Sequence, residues 1–295
     1  MSGLRRAWSA NRVFNDGRRA LDEGRLDEAS EAFRRYLETD DDYSAAWFNL
    51  GLVYKFQRNW TESMRCNRRA AELDPSSAEA HWNMGVAATA LRDWDAARWA
   101  WRGLKFDIDE GPGPPSMPSG PAPVRLNATE DGGGEVVWGE RIDPCRMRLG
   151  SVPLPDSGHR WGDIVLHDVV PRGERTAFGR TLSVFDELER MEPSERPTLQ
   201  SKVTAPSEAD VEELGVLLTE AGFGAEDWTG SLHWMCAQCS LSSPHDHKAK
   251  DPEQPIWLAE RTFGFAGPAD AIAPLMSQWA ERGAGRAFTE PVEVG

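Results

Sequence analysis

The chain has 295 residues, 40% of them apolar and 27% charged, enough to bury cores in about two domains, and no run approaches the roughly 18 apolar residues of a membrane span. Its net charge of −15 is uneven: residues 1–110 carry 17 Lys/Arg against 19 Asp/Glu, and the remainder 16 against 29. So acidic a second half is repelled by nucleic-acid backbones and anionic lipid, which moves the expectation to a protein or peptide partner, and to a basic one.

An internal repeat dominates the first third. Ala46-Trp47-Phe48-Asn49-Leu50-Gly51 recurs as Ala80-His81-Trp82-Asn83-Met84-Gly85, displaced by 34 residues, and one further step back gives Phe14-Asn15-Asp16-Gly17. The same displacement aligns Leu26 with Trp60 and Trp94, Ala29 with Ser63 and Ala97, and Phe33 with Asn67 and Trp101. Each repeat reads as two amphipathic helices, over 10–23 and 27–39, 44–57 and 61–73, then 78–91 and 95–107. Gly17, Gly51 and Gly85 let paired helices approach closely, with Ala29, Ser63 and Ala97 doing so from the second helix. One pair cannot bury its apolar face alone, so about three stacked pairs are needed for stability.

The pattern Trp47, Leu50, Gly51, Tyr54, Ser63, Asn67, Ala70, Pro75 resembles the tetratricopeptide repeat family, over about residues 10–110. The outer two copies lack the tyrosine and the closing proline. The resemblance implies a solenoid whose first helices line a partner-binding face, with Phe14, Arg18, Phe48, Lys55, Trp82 and Thr89 exposed on it and Trp82 as anchor. Phe14 and Glu79 stand where a carboxylate clamp of such repeats has lysines, so recognition of a free C-terminal carboxylate by that mechanism is not expected.

Residues 111–134, from Gly111-Pro112-Gly113-Pro114-Pro115 to Gly132-Gly133-Gly134, read as a linker. The period then changes to two. Strands are expected over 135–142, 146–152, 163–167, 199–204 and about 230–235. Ser207 caps a helix ending near Gly222, and another helix runs from Ala269 to Glu281. The expected fold is thus α+β in two domains: an all-α solenoid of three helix pairs over 1–110, the linker 111–134, and an acidic α+β domain with a mainly antiparallel sheet over 135–295. This second half, through Arg141-Ile142-Asp143-Pro144 and Trp161-Gly162-Asp163-Ile164-Val165-Leu166-His167-Asp168, resembles the C-terminal part of uncharacterised bacterial repeat-bearing proteins. No activity follows from that likeness.

Cys236, Cys239, His245 and His247 supply two thiols and two imidazoles within 12 residues, the ligand set of one structural zinc ion. The His-x-His spacing departs from a helical finger and requires an extended segment. A redox role for Cys236-Ala237-Gln238-Cys239 is disfavoured, because Ser240-Leu241-Ser242-Ser243-Pro244 stops the helix such a site needs. His159, Asp163 and His167 form a second polar group, with Asp163 and His167 on one strand face, an arrangement that would suit metal binding or acid–base chemistry. Its simpler reading is a turn leading into a strand with polar ends. Cys66 reads as helix packing and Cys145 as part of a turn. Asp40-Asp41-Asp42 and the acidic run 187–195 read as solvated faces, or as a docking surface for a basic partner.

No Gly-x-Ser-x-Gly elbow or phosphate-cradling loop is present. Four cysteines are too few for a disulfide scaffold, and Met1 to Trp8 turns polar too soon for a secretory signal, so a cytoplasmic setting is expected. The function expected is non-catalytic protein–protein interaction, as an adaptor or an immunity-type neutralising partner, with zinc as a structural cofactor. The competing expectation is a metal-dependent enzyme that uses the same Cys/His cluster with one coordination position open.

Overall fold

The computed structural model describes residues 2–129, 133–177, 179–231 and 257–295. The chain separates into two compact units, 1–117 and 118–295. None of its described helices is long and apolar enough to cross a membrane.

The first unit is built of helices α1 (Ser2–Asp22), α2 (Leu26–Leu37), α3 (Ser44–Phe56), α4 (Trp60–Leu73), α5 (Ala78–Ala90) and α6 (Trp94–Gly103). Each packs against the next, and α1 touches α3 as α3 touches α5. The small residues expected to permit close approach do so. A Cβ on Gly51 would lie 2.4 Å from Asn67 Nδ2, and one on Gly85 would lie 2.3 Å from Trp101 Cη2. Ser63, fully buried, donates its hydroxyl to the Gly51 carbonyl at 2.8 Å. Ala20, Ala29, Phe33, Leu50, Val53 and Cys66 form one continuous core through the first two pairs. The last helix ends at Gly103 rather than 107, because Lys105 adopts a left-handed φ of 63°.

The second unit contains two sheets. Strands β1 (Pro121–Leu126), β2 (Glu135–Arg141), β3 (Arg146–Leu149), β4 (Ile164–Ala177) and β5 (Arg180–Glu192) close a barrel. Consecutive strands pair antiparallel, and β1 meets β5 in parallel to complete the ring. The stretch 111–134 therefore holds the first barrel strand and is not wholly a linker. Its alternating apolar residues, Ala122, Val124 and Leu126, fill the barrel core with Val137, Met147, Leu149 and Val165. At the parallel closure, Arg125 grips Asp186 with two bonds, Nε to Oδ1 at 2.7 Å and Nη2 to Oδ2 at 2.9 Å.

The second sheet contains β6 (Thr198–Thr204), β7 (Gly224–Asp227), β8 (Glu260–Ala266), β9 (Ala287–Phe288) and β10 (Val292–Glu293), in the order β10-β6-β8-β7 with β9 also on β6. Helices α7 (Glu208–Glu220) and α9 (Ala269–Glu281) supply the residues that bury it. Leu214, Leu218, Ile272, Met276 and Trp279 pack with Phe263 and Phe265. The expected cap of α7 is present, since the Asp210 carboxylate accepts from Ser207 N at 2.8 Å and from its hydroxyl at 2.6 Å. Residues 228–231 form a short helix, α8 (Trp228–Ser231), rather than the start of a strand. The Trp228 ring lies against Gly264, where a Cβ would come within 2.1 Å of it, and its Nε1 donates to Val152 O at 2.9 Å. That bond ties the second sheet to the loop after β3.

Candidate functional site

Phe14, Phe48 and Trp82 fall 34 residues apart on α1, α3 and α5, so the repeat places them at one register along adjacent helices. All three are half-buried. Phe14 packs edge-on to Phe33 and Tyr43, with centroids 5.7 and 5.3 Å away. Phe48 rests on Ala70, Ala71 and Ala80. Trp82 meets Trp101 at 5.3 Å and Phe106 at 5.4 Å. Each ring thus has one side in the helix packing and another outside it. Arg18 is exposed on α1, one turn after Phe14.

Lys55 and Thr89 are not exposed as expected; they are 3% and 0% accessible. The physical reason for Lys55 is a polar partner on the next first helix: its Nζ donates to Asn83 Oδ1 at 3.1 Å. A buried ammonium is stable only with such acceptors. Asn83 is itself 6% exposed and was not singled out from the sequence. The signal was available, since Asn15, Asn49 and Asn83 repeat at the same 34-residue step. Thr89 lies on α5, which is buried around most of its circumference, and the 3.6-residue period cannot mark one face of such a helix as open.

The polar group of the second unit divides differently from its sequence order. His159 sits between two carboxylates, Nε2 3.2 Å from Glu187 Oε1 and Nδ1 3.4 Å from Asp163 Oδ2. Burial alone would lower its pKa, but the two carboxylates outweigh it and lift it to about 9. Asp163 is fully buried and accepts from Ser194 N at 2.6 Å and Arg160 N at 3.0 Å. Burial pushes its carboxyl up, but His159 and these two amides hold it below the usual range. Glu187 is the partner that the sequence reading missed, because it arrives on β5 from a run assigned to a solvated face.

His167 does not join this group. Its Nδ1 donates to the Asp168 carbonyl at 2.7 Å and its ring lies 5.3 Å from Phe185. Burial holds it neutral, with a pKa of about 4. The shared strand face of Asp163 and His167 therefore brings no acid–base pair together. Cys66 is fully buried, and burial raises its thiol to about 12, in keeping with a packing role. Among the described residues no group of three or more His, Cys, Asp or Glu side chains could hold a metal ion. The expected zinc ligands Cys236, Cys239, His245 and His247 lie outside the described residues.

Residues 14–63 and 53–101 match the family described as the tetratricopeptide repeat, so the first unit carries tetratricopeptide repeats, a repeat type that serves protein–protein interaction. The family match ends at residue 101. No curated protein matches the sequence. Similar solved structures include the second repeat domain of Spaghetti (RPAP3) bound to the HSP90 peptide SRMEEVD, at 20% identity, covering 36% of this chain and 97% of that one with a TM-score of 0.33. A Thermobaculum terrenum O-GlcNAc transferase mutant is 25% identical over 34% of this chain and 19% of its own, with a TM-score of 0.31. The TPR2B domain of yeast Sti1 in its pHsp70 complex is 15% identical over 32% of this chain and 75% of that one, with a TM-score of 0.30.

Proposed function

We propose that the chain is a non-catalytic interaction protein whose repeat unit holds a protein or peptide partner on the face bearing Phe14, Arg18, Phe48 and Trp82. The observation that carries this reading is the aromatic row at a constant register on three successive first helices, half-buried and so pre-ordered for contact. Aromatic side chains fixed by packing lose little entropy on binding and dominate interface energetics. The strong acidity of the second half supports a basic partner, and an adaptor or a neutralising, immunity-type protein would both use it in this way.

Affinity capture from the native host tests the face. A partner retained by the wild-type chain and lost from the Arg18→Glu, Trp82→Ala double variant is the expected result. Trp82 also packs on Trp101 and Phe106, so thermal melting by circular dichroism is followed on the same samples, and the exposed Arg18→Glu single variant separates binding from stability. Equal capture by wild type and both variants sinks the assignment.

The Cys236, Cys239, His245, His247 set supports a structural zinc ion in the second unit, because thiolates and neutral imidazoles close in sequence suit that metal at small loop-closure cost. About one zinc per chain is expected in protein purified without added metal or chelator, with Cys236→Ser abolishing it. Far less than one, with no stabilisation by added zinc, removes the site. With one coordination position open, the same cluster would instead support metal-dependent catalysis, and a metal-bound water in place of a fourth protein ligand is the discriminating observation.

A further inference from the structure

The β4–β5 hairpin runs on past the barrel that it helps to close. β3 pairs with β4 only over 164–166, and β1 meets β5 only at Phe185 and Asp186. Beyond those points the two strands pair with each other, from Gly173 opposite Val184 to Ala177 opposite Arg180. Among the described residues no other strand pairs with 173–177 or 180–184. On the β5 side the continuation of β1 is Pro123 and Pro121, which have no amide to donate. On the β4 side Arg172, Glu174 and Thr176 are exposed. Every second residue of such an edge turns its N–H and C=O away from the partner strand, which makes it a template for one more strand.

Arg172 is the extra residue of the bulge between Pro171 and Gly173, and its side chain, 47% exposed, lies a loose 3.9 Å from Asp186. From Gly173 to Ala177 the register then runs without a shift or a proline, about 17 Å of regular edge. Residues 170–182 carry three arginines against one glutamate, inside a half of the chain with 16 Lys/Arg against 29 Asp/Glu. A second copy would bring its own net positive arm against this one, so charge opposes self-pairing. Residues opposite each other share a face of the ribbon, so Arg175 and Arg180 flank the half-buried Leu182 on one face. Glu174, Thr176, Thr181 and Ser183 stand on the other. Arg180 is exposed and makes no ion pair among the described residues.

We propose that the β4 edge of this arm takes up an extended acidic segment of a partner protein as an added strand. The main chain of the segment pairs with 173–177. Its alternate side chains, on the face of Arg175 and Arg180, are carboxylates, and those between them are hydroxyl residues that meet Glu174 and Thr176. Cross-strand neighbours stand about 5 Å apart at Cβ, which puts a carboxylate beside Arg175, and the long Arg180 side chain reaches it across the ribbon. Main-chain bonds supply the affinity and alternate side chains the specificity. A nucleic-acid strand suits the arm less. Its charge continues past the roughly 17 Å of edge onto the acidic remainder, within reach of repulsion screened only over about 8 Å.

Fluorescence anisotropy of the full chain with a labelled peptide of alternating glutamate and threonine tests the proposal. Saturable binding that weakens with added salt is expected, and the lysine–threonine counterpart should bind at least about tenfold more weakly. Methylating alternate backbone nitrogens of the acidic peptide removes the donors that an added strand needs, and should also cost about tenfold or more. Arg180→Glu should weaken binding by about threefold or more, and Arg175→Glu with Arg180→Glu by about tenfold. Circular dichroism follows the fold of both variants, and the exposed Arg180 keeps the test decisive if the double variant is disturbed. The proposal is overturned if the acidic peptide does not bind, if the lysine or the methylated peptide binds as tightly, or if Arg180→Glu leaves the affinity unchanged. A monomer–dimer equilibrium in sedimentation that the peptide breaks would give the edge to a second copy, and an oligonucleotide that displaces the peptide would give the arginines to nucleic acid. Either result overturns it as well.

Discussion

Gly24, Arg58 and Arg92 occupy the same place in the turn inside each helix pair, and all three adopt left-handed backbone, with φ of 73°, 57° and 58°. Their amides donate to the carbonyls three residues back, Leu21, Lys55 and Thr89, which closes each first helix in the same way. Only the first turn uses a glycine, which bears this conformation without a Cβ penalty. Gly24→Ala is therefore expected to destabilise the repeat unit by about 1 kcal/mol through backbone conformation alone, since a Cβ there meets nothing within 4 Å. Chemical denaturation reads this directly. A neutral or stabilising outcome would show that the turn relaxes out of the left-handed region.

Among the elements, the repeat helices were legible because their apolar spacing persists through three copies and two of their second helices, α4 and α6, are capped locally. Asn59 and Asp93 accept from the amides of Glu62 and Ala96 at 3.3 and 3.1 Å. The long β4–β5 hairpin was not legible in full. Its register shifts between Leu166 and His167, again to Pro171, and again to Gly173, so the two-residue alternation that marks a strand is broken. Its second strand carries Asp186, Glu187, Glu189, Arg190 and Glu192 in a charged run, and such a run reads as solvent-facing. In the barrel, Asp186 and Glu187 instead turn to Arg125 and His159. Strand β1 escaped for a related reason: its prolines and the glycines around it look like linker until β2 and β5 supply partners for its backbone.

In the second unit, His159, Glu226 and His167 are the described groups with the largest shifts, and each contributes to the pH dependence. His159 titrates at about 9 when folded against an unperturbed 6.5, so its contribution is full below pH 6.5 and is lost as pH rises through 9. Glu226 acts in the same sense at lower pH: burial, with Glu135 and Asp227 nearby, raises it to about 7, so its contribution fades as pH rises from about 4.5 through 7. His167, depressed to about 4, acts oppositely, contributing above pH 6.5 and failing as pH falls through 4. Of these three, the two opposing groups offset each other below pH 7, and above it His159 is the one still titrating. The stability of this unit is expected to fall between pH 7 and 9, by on the order of 2 kcal/mol, and His159→Gln should flatten that slope. Melting curves across this range check it, and an equal slope in wild type and variant would remove His159 as the cause.

The repeat follows from the order of residues alone. A 34-residue period, small residues at Gly51, Ser63 and Gly85, and aromatic rings at 14, 48 and 82 are local and periodic, so helix packing follows from spacing. The cap at Ser207 and the apolar strands β2, β3 and β6 are legible in the same way. Which polar residues meet is settled instead by the tertiary fold. Lys55 reaches Asn83 across 28 positions, and His159, in the loop before β4, reaches Glu187 on β5. Each of these pairings depends on chain segments brought together by the burial of other residues, and side-chain type at one position carries no record of the partner that burial will supply.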